Sequence, residues 1–207
     1  MSELAAVSGL PVATVKYYLR EGLLHAGTAT GVTQATYDDG HVRRLRLVRA
    51  LVEVAGLSLA DVAAVLARLD SPATSWHDAL GVVHSTLPPR AEQLDGAALT
   101  GSPSWQLVRD LGWDVHPAVP ALAQLDRALA AAESAGMPVP AEDLAVYATA
   151  ARSVAEVDVA GVPTSSPQDA TRHVVLGTLL REPVLLALRR LAQVDASARR
   201  FDGPDAP

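Results

Sequence analysis

A short helical pattern with turn residues at both ends is the feature that most limits how this chain can fold. Residues 12–24 read VATVKYYLREGLL, with Pro11 directly before the pattern and Gly22 near its end. Because proline and glycine mark helix boundaries, this spacing predicts a helix over residues 12–21 that follows a turn over residues 9–11. The chain is therefore expected to begin with short, sharply bounded helices.

The two sides of this helix differ in chemistry. Val15, Leu19 and Tyr18 are expected to face inward. The other side carries a hydroxyl, two cations and an aromatic ring: Thr14, Lys16, Tyr17 and Arg20. Side chains of these kinds contact phosphates and base edges when a helix lies in the major groove of DNA. An ordinary solvent-exposed face is the alternative, and this helix alone favours neither.

The segment that follows is typical of a β-hairpin. Residues 23–37 contain two glycines, four threonines and one aromatic residue, a composition that suits tight turns and short strands better than a helix. A further helix is predicted over residues 40–54, with Asp38 or Asp39 as its cap.

The predicted helix over residues 40–54 has a basic side and an apolar side. Arginines recur on one side at a spacing of three residues, with one more beside them: Arg43, Arg46, Arg49 and Arg44. The apolar side is predicted to form a core stripe: Val42, Leu45, Val48 and Val52. A basic stripe is more often a solvated face than a DNA contact, but this one follows a candidate groove-binding helix.

Two more helices complete the predicted N-terminal region. Ser2 is expected to cap the first helix of the chain. Gly56 ends the basic helix, and Ser58 with Asp61 three residues later predicts a capping box for a last helix over residues 59–69.

These motifs follow one another in the order found in a family of DNA-binding proteins. Along the chain they are Glu3-Leu4-Ala5, Thr14-Val15-Lys16-Tyr17-Tyr18, Gly22-Leu23, Tyr37 and Gly56-Leu57-Ser58-Leu59. Residues 1–70 therefore resemble the winged-helix domain of the MerR family. The resemblance implies that the mixed polar side of the second helix lies at the DNA. It also implies that Tyr37 and the start of the basic helix hold the DNA backbone.

The chain departs from the family pattern in the wing. The family usually carries an arginine one or two positions before the tyrosine that matches Tyr37, but neither position is arginine here. Thr33 and Gln34 remain as the polar groups of the wing that could contact DNA. Two outcomes are open: a wing with weak phosphate affinity, or phosphate contacts carried by Arg43 and Arg44.

A second departure concerns dimerisation. Family members usually pair through one long helix that follows the winged-helix domain. Here the helical pattern over residues 76–86 spans only about three turns before Pro88 and Pro89 end it. The sequence does not predict dimerisation by that route.

The distribution of charge keeps DNA binding possible, although the whole chain has a net charge of −6. Residues 1–50 carry six lysines and arginines against four acidic residues, a balance of +2. Residues 71–207 carry ten arginines against sixteen acidic residues, a balance of −6. The acidity therefore belongs to the C-terminal part of the chain.

Several classes of function are not expected. The chain has no cysteine, which excludes disulfides, zinc–thiolate sites and thiol redox sensing. No apolar run approaches the roughly 20 residues needed to cross a bilayer, and Glu3 stands where a secretory signal would be basic, so a cytoplasmic location is expected. The histidines lack ligand spacing, and phosphate-binding glycine loops, nucleophile elbows and paired-carboxylate sites are missing. We therefore expect no metal, no cofactor and no catalysis.

Residues 71–103 are predicted to form a short helix and a linker, and residues 104–207 a helical effector or dimerisation domain. Helices are expected over four ranges: 104–111, 117–135, 141–157 and 167–197. Pro183 would kink the last of these or divide it into two helices. Its apolar residues cover more than one face, which indicates either the core of the bundle or a subunit interface; we favour the interface.

Four aromatic residues could line a pocket for an apolar or planar ligand between these helices: Trp76, Trp105, Trp113 and Tyr147. Tryptophans in a region with few aromatic residues are more simply explained as anchors of the hydrophobic core.

The sequence predicts an all-α protein with one small β-hairpin: a winged helix-turn-helix over residues 1–70, hereafter the head, and a helical bundle over residues 104–207, hereafter the body. The leading hypothesis is a sequence-specific transcriptional regulator that binds a palindromic promoter operator as a homodimer. Expected partners are double-stranded DNA, a second copy, RNA polymerase and a small apolar effector, with no membrane. The alternative hypothesis is a small-molecule or partner-protein binding module with weak DNA affinity.

Overall fold

The computed structural model describes residues 1–31, 34–71 and 99–201. Within these ranges the chain forms eight α-helices and one two-stranded antiparallel hairpin. The predicted all-α class with one small hairpin is confirmed.

The head begins with two short helices joined by a tight turn. Helix α1 spans Ser2–Ser8 and helix α2 spans Val12–Arg20. Gly9 ends α1 in the left-handed conformation at φ 68°, which favours glycine because it has no Cβ. The predicted cap at Ser2 is wrong: the helix starts one residue earlier than expected, so Met1 occupies the N-cap position.

A small wing follows α2. Strand β1 spans Thr28–Ala29 and strand β2 spans Ala35–Thr36. The strands are antiparallel, with Thr28 opposite Thr36 and Ala29 opposite Ala35. The predicted hairpin is present, but each strand has only two residues, so contacts at its base have to hold it in place.

Two longer helices complete the head. Helix α3 spans Asp39–Glu53 and helix α4 spans Leu59–Asp70. Asp38 caps α3 and Ser58 caps α4, each by accepting a hydrogen bond from a backbone N–H of the first turn. Gly56, in the left-handed conformation at φ 68°, turns the chain between the two helices.

The core of the head forms where α1 packs on α2 and α3, and where α3 packs on α4. Its most deeply buried side chains are aliphatic: Val15, Leu45, Val48, Leu51, Val62 and Val65. The stripe predicted on α3 is only partly right: Leu45 and Val48 are buried, but Val42 and Val52 are only half-buried. Leu51 rather than Val52 completes it, because the buried positions of α3 continue at a spacing of three residues.

The body contains three helices of ordinary length. Helix α5 spans Pro103–Asp110, helix α6 spans Pro120–Ser134 and helix α7 spans Ala141–Ala160. Helix α6 begins three residues later than predicted, because residues 117–118 form a turn. Helices α5 and α6 pack on each other.

Four buried residues of the described part of the chain form a core cluster here: Leu99, Val108, Leu122 and Ala123. Near it, the backbone N–H of Ser104 donates a hydrogen bond of 2.9 Å to Asp126 Oδ1, which ties the start of α5 to α6.

The last helix, α8, spans Pro167–Phe201 without a break. Pro183 lies inside it, so of the two predicted outcomes, a kink or a division into two helices, the division is wrong. Ala170, Val175 and Leu179 in its first half are buried, whereas every residue from 184 to 201 is exposed.

The chain divides into two compact units, residues 1–72 with 176–207 and residues 73–175, so α8 contributes to both. The helix predicted over residues 76–86 lies outside the described residues. Among the helices that are described, none is long and apolar enough to cross a membrane.

Candidate nucleic-acid interface

Helix α2 presents the side chains predicted to reach DNA. Lys16 and Arg20 are exposed, and Thr14 and Tyr17 are half-buried. The opposite side of the helix is anchored in the core by Val15 and Tyr18, which fixes the orientation of the exposed side. Burial, followed by the negative charge of Glu53, raises the pKa of the Tyr18 phenol, so this ring stays neutral at physiological pH.

Tyr17 and Arg20 form a pair at the end of α2. The guanidinium of Arg20 lies 5.1 Å from the centre of the Tyr17 ring, within the range of a cation–π contact. Its Nε also donates to Glu21 at 3.2 Å, but both side chains are largely exposed, so this ion pair is weak. The pair holds a cation and an aromatic ring next to each other on the accessible end of the helix.

The base of the wing is held by Tyr37 and His41. The two rings meet edge to face with centroids 5.2 Å apart. Gly27 lies against the same ring: a Cβ at this position would come within 2.8 Å of Tyr37 Cε1 and 2.6 Å of the Thr36 carbonyl oxygen. Glycine is therefore required at this position by close packing.

His41 also joins the wing to the start of α3. Asp38 accepts a 3.1 Å hydrogen bond from the His41 backbone N–H, and His41 Nδ1 lies 2.6 Å from Asp38 Oδ1. These hydrogen bonds from His41 hold the pKa of the Asp38 carboxyl below its usual value. His41 Nε2 reaches the Ala26 carbonyl oxygen at 3.5 Å, so one residue connects the segment before the wing, Tyr37 and the helix cap.

Arg43 and Arg44 have different environments on α3. Arg43 is exposed and makes no ion pair with any residue that the structure describes. The Arg44 side chain is 12% exposed and binds Asp70 with both ends of its guanidinium, at 2.8 and 2.7 Å. Its Nε donates to the Leu23 carbonyl oxygen at 3.0 Å. Arg44 thus links the segment after α2 to the end of α4, and most of its donors are occupied within the head.

Of the three wing residues predicted to contact DNA, two lie within the described residues. Gln34 is exposed at the start of β2, and Tyr37 is half-buried. Thr33 lies outside the described residues. The lysines and arginines of the described head that are fully exposed lie on α2 and α3: Lys16, Arg20, Arg43, Arg46 and Arg49.

Three of the four aromatic residues predicted to bind a ligand lie in the described part of the chain, and Tyr147 is not among the residues that pack with Trp105 and Trp113 on one core cluster. Trp105 and Trp113 pack against the core around Val108, in agreement with the simpler alternative of core anchors. Tyr147 is half exposed on α7, and Trp76 lies outside the described residues.

Trp113 also lines an open groove against α7. The groove has a volume of about 830 Å³, and small and apolar residues such as Ala151, Ala155 and Val159 form its α7 side. Arg152 crosses it: its guanidinium lies 5.6 Å from the Trp113 ring centre, and one N–H donates to the Leu111 carbonyl oxygen at 3.1 Å. Across residues 1–31, 34–71 and 99–201, no group of three histidines or acidic residues is arranged to hold a metal ion.

Several residues that build these sites gave little signal in the sequence. His41 could have been found, because it stands three residues after Asp38, the spacing of a capping box. Gly27 and Asp70 could not have been found, because their partners are not sequence neighbours. Gly27 packs against Thr36 and Tyr37 across the hairpin, and Asp70 binds Arg44, 26 positions away. Arg152 is likewise joined to Leu111 only by the tertiary fold.

The head has a turn between two short helices, and the second helix has an exposed cationic side. A hairpin packs against the next helix. These features define a winged helix-turn-helix, a class of DNA-binding domain. Comparison with known proteins agrees. Residues 1–69 match the family described as MerR HTH family regulatory protein. The whole chain is also similar to a crystal structure of SCO5550 from Streptomyces coelicolor A3(2), described as a candidate transcriptional regulator.

That similarity extends over 100% of this chain and 99% of the other, with 34% sequence identity and a TM-score of 0.60. The chain therefore belongs to the MerR family of helix-turn-helix regulators. No curated protein matches the chain at a significant level.

Proposed function

We propose that this protein is a cytoplasmic transcriptional regulator whose head binds a promoter operator through α2, the wing and the start of α3. The observation that carries the proposal is the fixed orientation of α2. Val15 and Tyr18 bury one side, which leaves Lys16 and Arg20 exposed on the other. A helix held in this way can enter a major groove without rearranging.

In this proposal the side chains have separate tasks. Thr14, Tyr17 and Arg20 would contact base edges or the nearby backbone, and Lys16 and Arg43 would contact phosphates. Gln34, Thr33 and Tyr37 would touch the backbone from the wing. Arg44 is assigned a structural task instead, because its donors are engaged by Asp70 and the Leu23 carbonyl.

We further propose that the operator is palindromic and is read by a dimer, since one head contacts only a single half-site. A bound dimer at a promoter would act on transcription through its position relative to RNA polymerase. The sign of regulation would then follow from the position and spacing of the operator.

The direct test is selection of genomic DNA fragments by the purified protein, followed by titration of the best fragment at several salt concentrations. We expect an inverted repeat whose affinity falls steeply with salt, by about 0.9 in log–log slope per phosphate contacted. No enriched sequence, or binding that does not respond to salt, would favour the alternative of a binding module that docks to another partner.

Single substitutions assign the contacts. Lys16→Ala and Arg43→Ala should each lower operator affinity roughly tenfold and reduce the salt slope by about one. Arg127→Ala, an exposed arginine of α6, is the matched control and should change neither quantity. Equal losses in all three variants would mean that the effect is one of overall charge.

We also propose that the groove between Trp113 and α7 is where a small apolar effector binds. Its volume of about 830 Å³ lies within the usual range of ligand pockets, and its lining is mostly apolar. The fluorescent probe anilinonaphthalene sulfonate should bind there. Ala155→Trp, which fills the groove, should abolish that binding, whereas Ala150→Trp, on an exposed position of the same helix, should leave it unchanged.

A further inference from the structure

Residues 23–26 connect helix α2 to the wing, and both ends of this segment are held in place. At its start, the backbone N–H of Leu23 donates to the Tyr18 carbonyl oxygen of α2 at 2.9 Å. At its end, the Ala26 carbonyl oxygen lies 3.5 Å from His41 Nε2 at the base of the wing. These four residues, hereafter the α2–wing segment, therefore set where the wing lies relative to α2.

A third contact to the α2–wing segment comes from α3. Arg44 Nε donates to the Leu23 carbonyl oxygen at 3.0 Å, and Leu23 is only 2% exposed, so water has little access to replace this donor. The other two nitrogens of the guanidinium bind the two carboxylate oxygens of Asp70, the last residue of α4, at 2.8 and 2.7 Å. A bidentate pair of this kind fixes the plane of the guanidinium. Asp70 therefore determines where Arg44 Nε points.

Asp70 also approaches the α2–wing segment directly. Its Oδ2 lies 4.0 Å from His25 Nε2, but the side chains of both residues are largely in solvent, so this contact is weak. The Arg44 side chain, in contrast, is only 12% exposed. The path from Asp70 through the half-enclosed arginine to the backbone of the segment is therefore the stronger connection.

We propose that Asp70 is a positioning residue for DNA binding. Through Arg44 and Leu23 it couples the end of α4 to the α2–wing segment, and so fixes the placement of the wing relative to α2. In this proposal Asp70 does not touch DNA, because phosphates repel a carboxylate. The role rests on the operator binding proposed above for the head.

An amide of the same size shows how the coupling would fail. In Asp70→Asn the side chain offers one acceptor oxygen, and its NH2 group faces a guanidinium that has only donors. The bidentate pair is lost, so Arg44 is no longer held in one plane. The Leu23 carbonyl oxygen then loses its fixed donor, and the α2–wing segment is free to shift.

The sign of the effect separates positioning from charge and from stability. Removal of a carboxylate makes the head less negative, which by itself raises the affinity for any DNA. A purely stabilising ion pair changes the folded fraction, and hence the affinities for operator and random DNA by the same factor. Loss of positioning lowers the affinity for the operator alone. The ratio of operator affinity to random-sequence affinity therefore isolates positioning.

The experiment measures this ratio by fluorescence anisotropy with the full-length protein and its selected operator. Asp70→Asn should lower the ratio roughly tenfold, the loss expected for one charge-assisted hydrogen bond. Glu53→Gln is the matched control, because Glu53 also pairs with an arginine of α3, but within that helix; its ratio should not change. An unchanged ratio in Asp70→Asn, or an equal fall in the control, would overturn the proposal.

A second variant tests the path without changing the net charge. Arg44→Lys keeps the cation but lacks the planar fork that binds Asp70 and the Leu23 carbonyl together. It should lower the ratio by a similar factor, and the double variant Arg44→Lys with Asp70→Asn should lower it no further than one substitution alone. Losses that multiply in the double variant would mean that the two residues act independently, which would overturn the coupling.

Hydrogen exchange measured without DNA keeps this proposal separate from operator binding. In Asp70→Asn, amide exchange over residues 22–30 should be faster than in the wild type, whereas exchange over α1 should be unchanged. Faster exchange in a protein that selects no operator would support the coupling and contradict the proposed function. Unchanged exchange over residues 22–30 would overturn the coupling whatever the result with DNA.

Discussion

The head and the second half of α8 use the same apolar residues in opposite ways. In the head, Val15, Val48 and Val65 are completely buried within a single chain. In α8, Val184, Leu191 and Val194 remain in solvent. Helix α7 resembles α8, since Val146, Val157 and Val159 are all at least 66% exposed.

The difference shows which apolar surfaces the chain covers by itself. The head closes its core with four helices, so the orientation of α2 is fixed within a single chain. The apolar sides of α7 and α8 gain hydrophobic stabilisation only when another surface covers them. Within one chain, the apolar side chains of the head are therefore much better covered than those of α7 and of the second half of α8.

The largest expected effect is a loss of stability at a buried valine of the head, compared with an exposed valine of α7. Val48→Ala should lower the free energy of unfolding by about 2–3 kcal/mol, because it removes buried methyl groups and leaves a cavity. Val159→Ala, at a position 70% exposed, should change it by less than about 0.5 kcal/mol. Urea unfolding followed by circular dichroism measures both. Equal losses would mean that α7 is as well covered as the head.

The head was predictable because its boundaries are local. Gly9, Gly22 and Gly56 adopt the left-handed conformation at the helix ends that the sequence indicated, and Asp38 and Ser58 cap the helices that follow. Such signals act within a few residues, so they survive in a single sequence.

The body was less predictable because its contacts join distant segments. The start of α6 and the ends of α7 and α8 differ from the prediction by three or four residues, and Pro183 lies within a continuous helix. The contact between Arg152 and the Trp113 ring joins positions 39 residues apart, so no local pattern could indicate it. The sequence indicates that apolar residues of α8 cover more than one face, but only the structure shows that those after Pro183 are exposed.

A smaller effect is expected from the arginines of α3. Arg44→Ala should lower the free energy of unfolding by about 2 kcal/mol, because it removes a bidentate ion pair and leaves Asp70 and the Leu23 carbonyl without this donor. Arg49→Ala removes an exposed pair with Glu53 and should cost about 0.3–0.5 kcal/mol. If thermal unfolding gives equal costs, Arg44 is not the internal link described for the head.

A substitution at Gly27 tests whether the wing is packed as tightly as the core of the head. Gly27→Ala should cost about 1–2 kcal/mol, because the new Cβ would overlap the Thr36 carbonyl and the Tyr37 ring. Operator affinity should fall with it, since the wing would be displaced. Gly31→Ala is the control: its Cβ would meet only Gln34, at 3.9 Å. An unchanged Gly27→Ala variant in both unfolding and operator titration would show that the wing has room to adjust.

The smallest expected effect is a pH dependence at the start of α3. The pKa of Asp38 is lowered in the folded protein by hydrogen bonds from His41, so the ionised cap stabilises the fold above its unfolded pKa of about 3.9. That stabilisation should disappear as the pH falls from about 4 through the lower folded pKa. Asp38→Asn keeps the capping geometry but does not titrate, so its melting temperature should fall less than that of the wild type over this window. Asp39→Asn, one position later, should follow the wild type. If the melting temperature of Asp38→Asn falls as much as that of the wild type, the acid sensitivity of the head originates in other carboxyl groups. The packing of Tyr37 on His41 would then hold the junction between wing and helix without a contribution from the charge of Asp38.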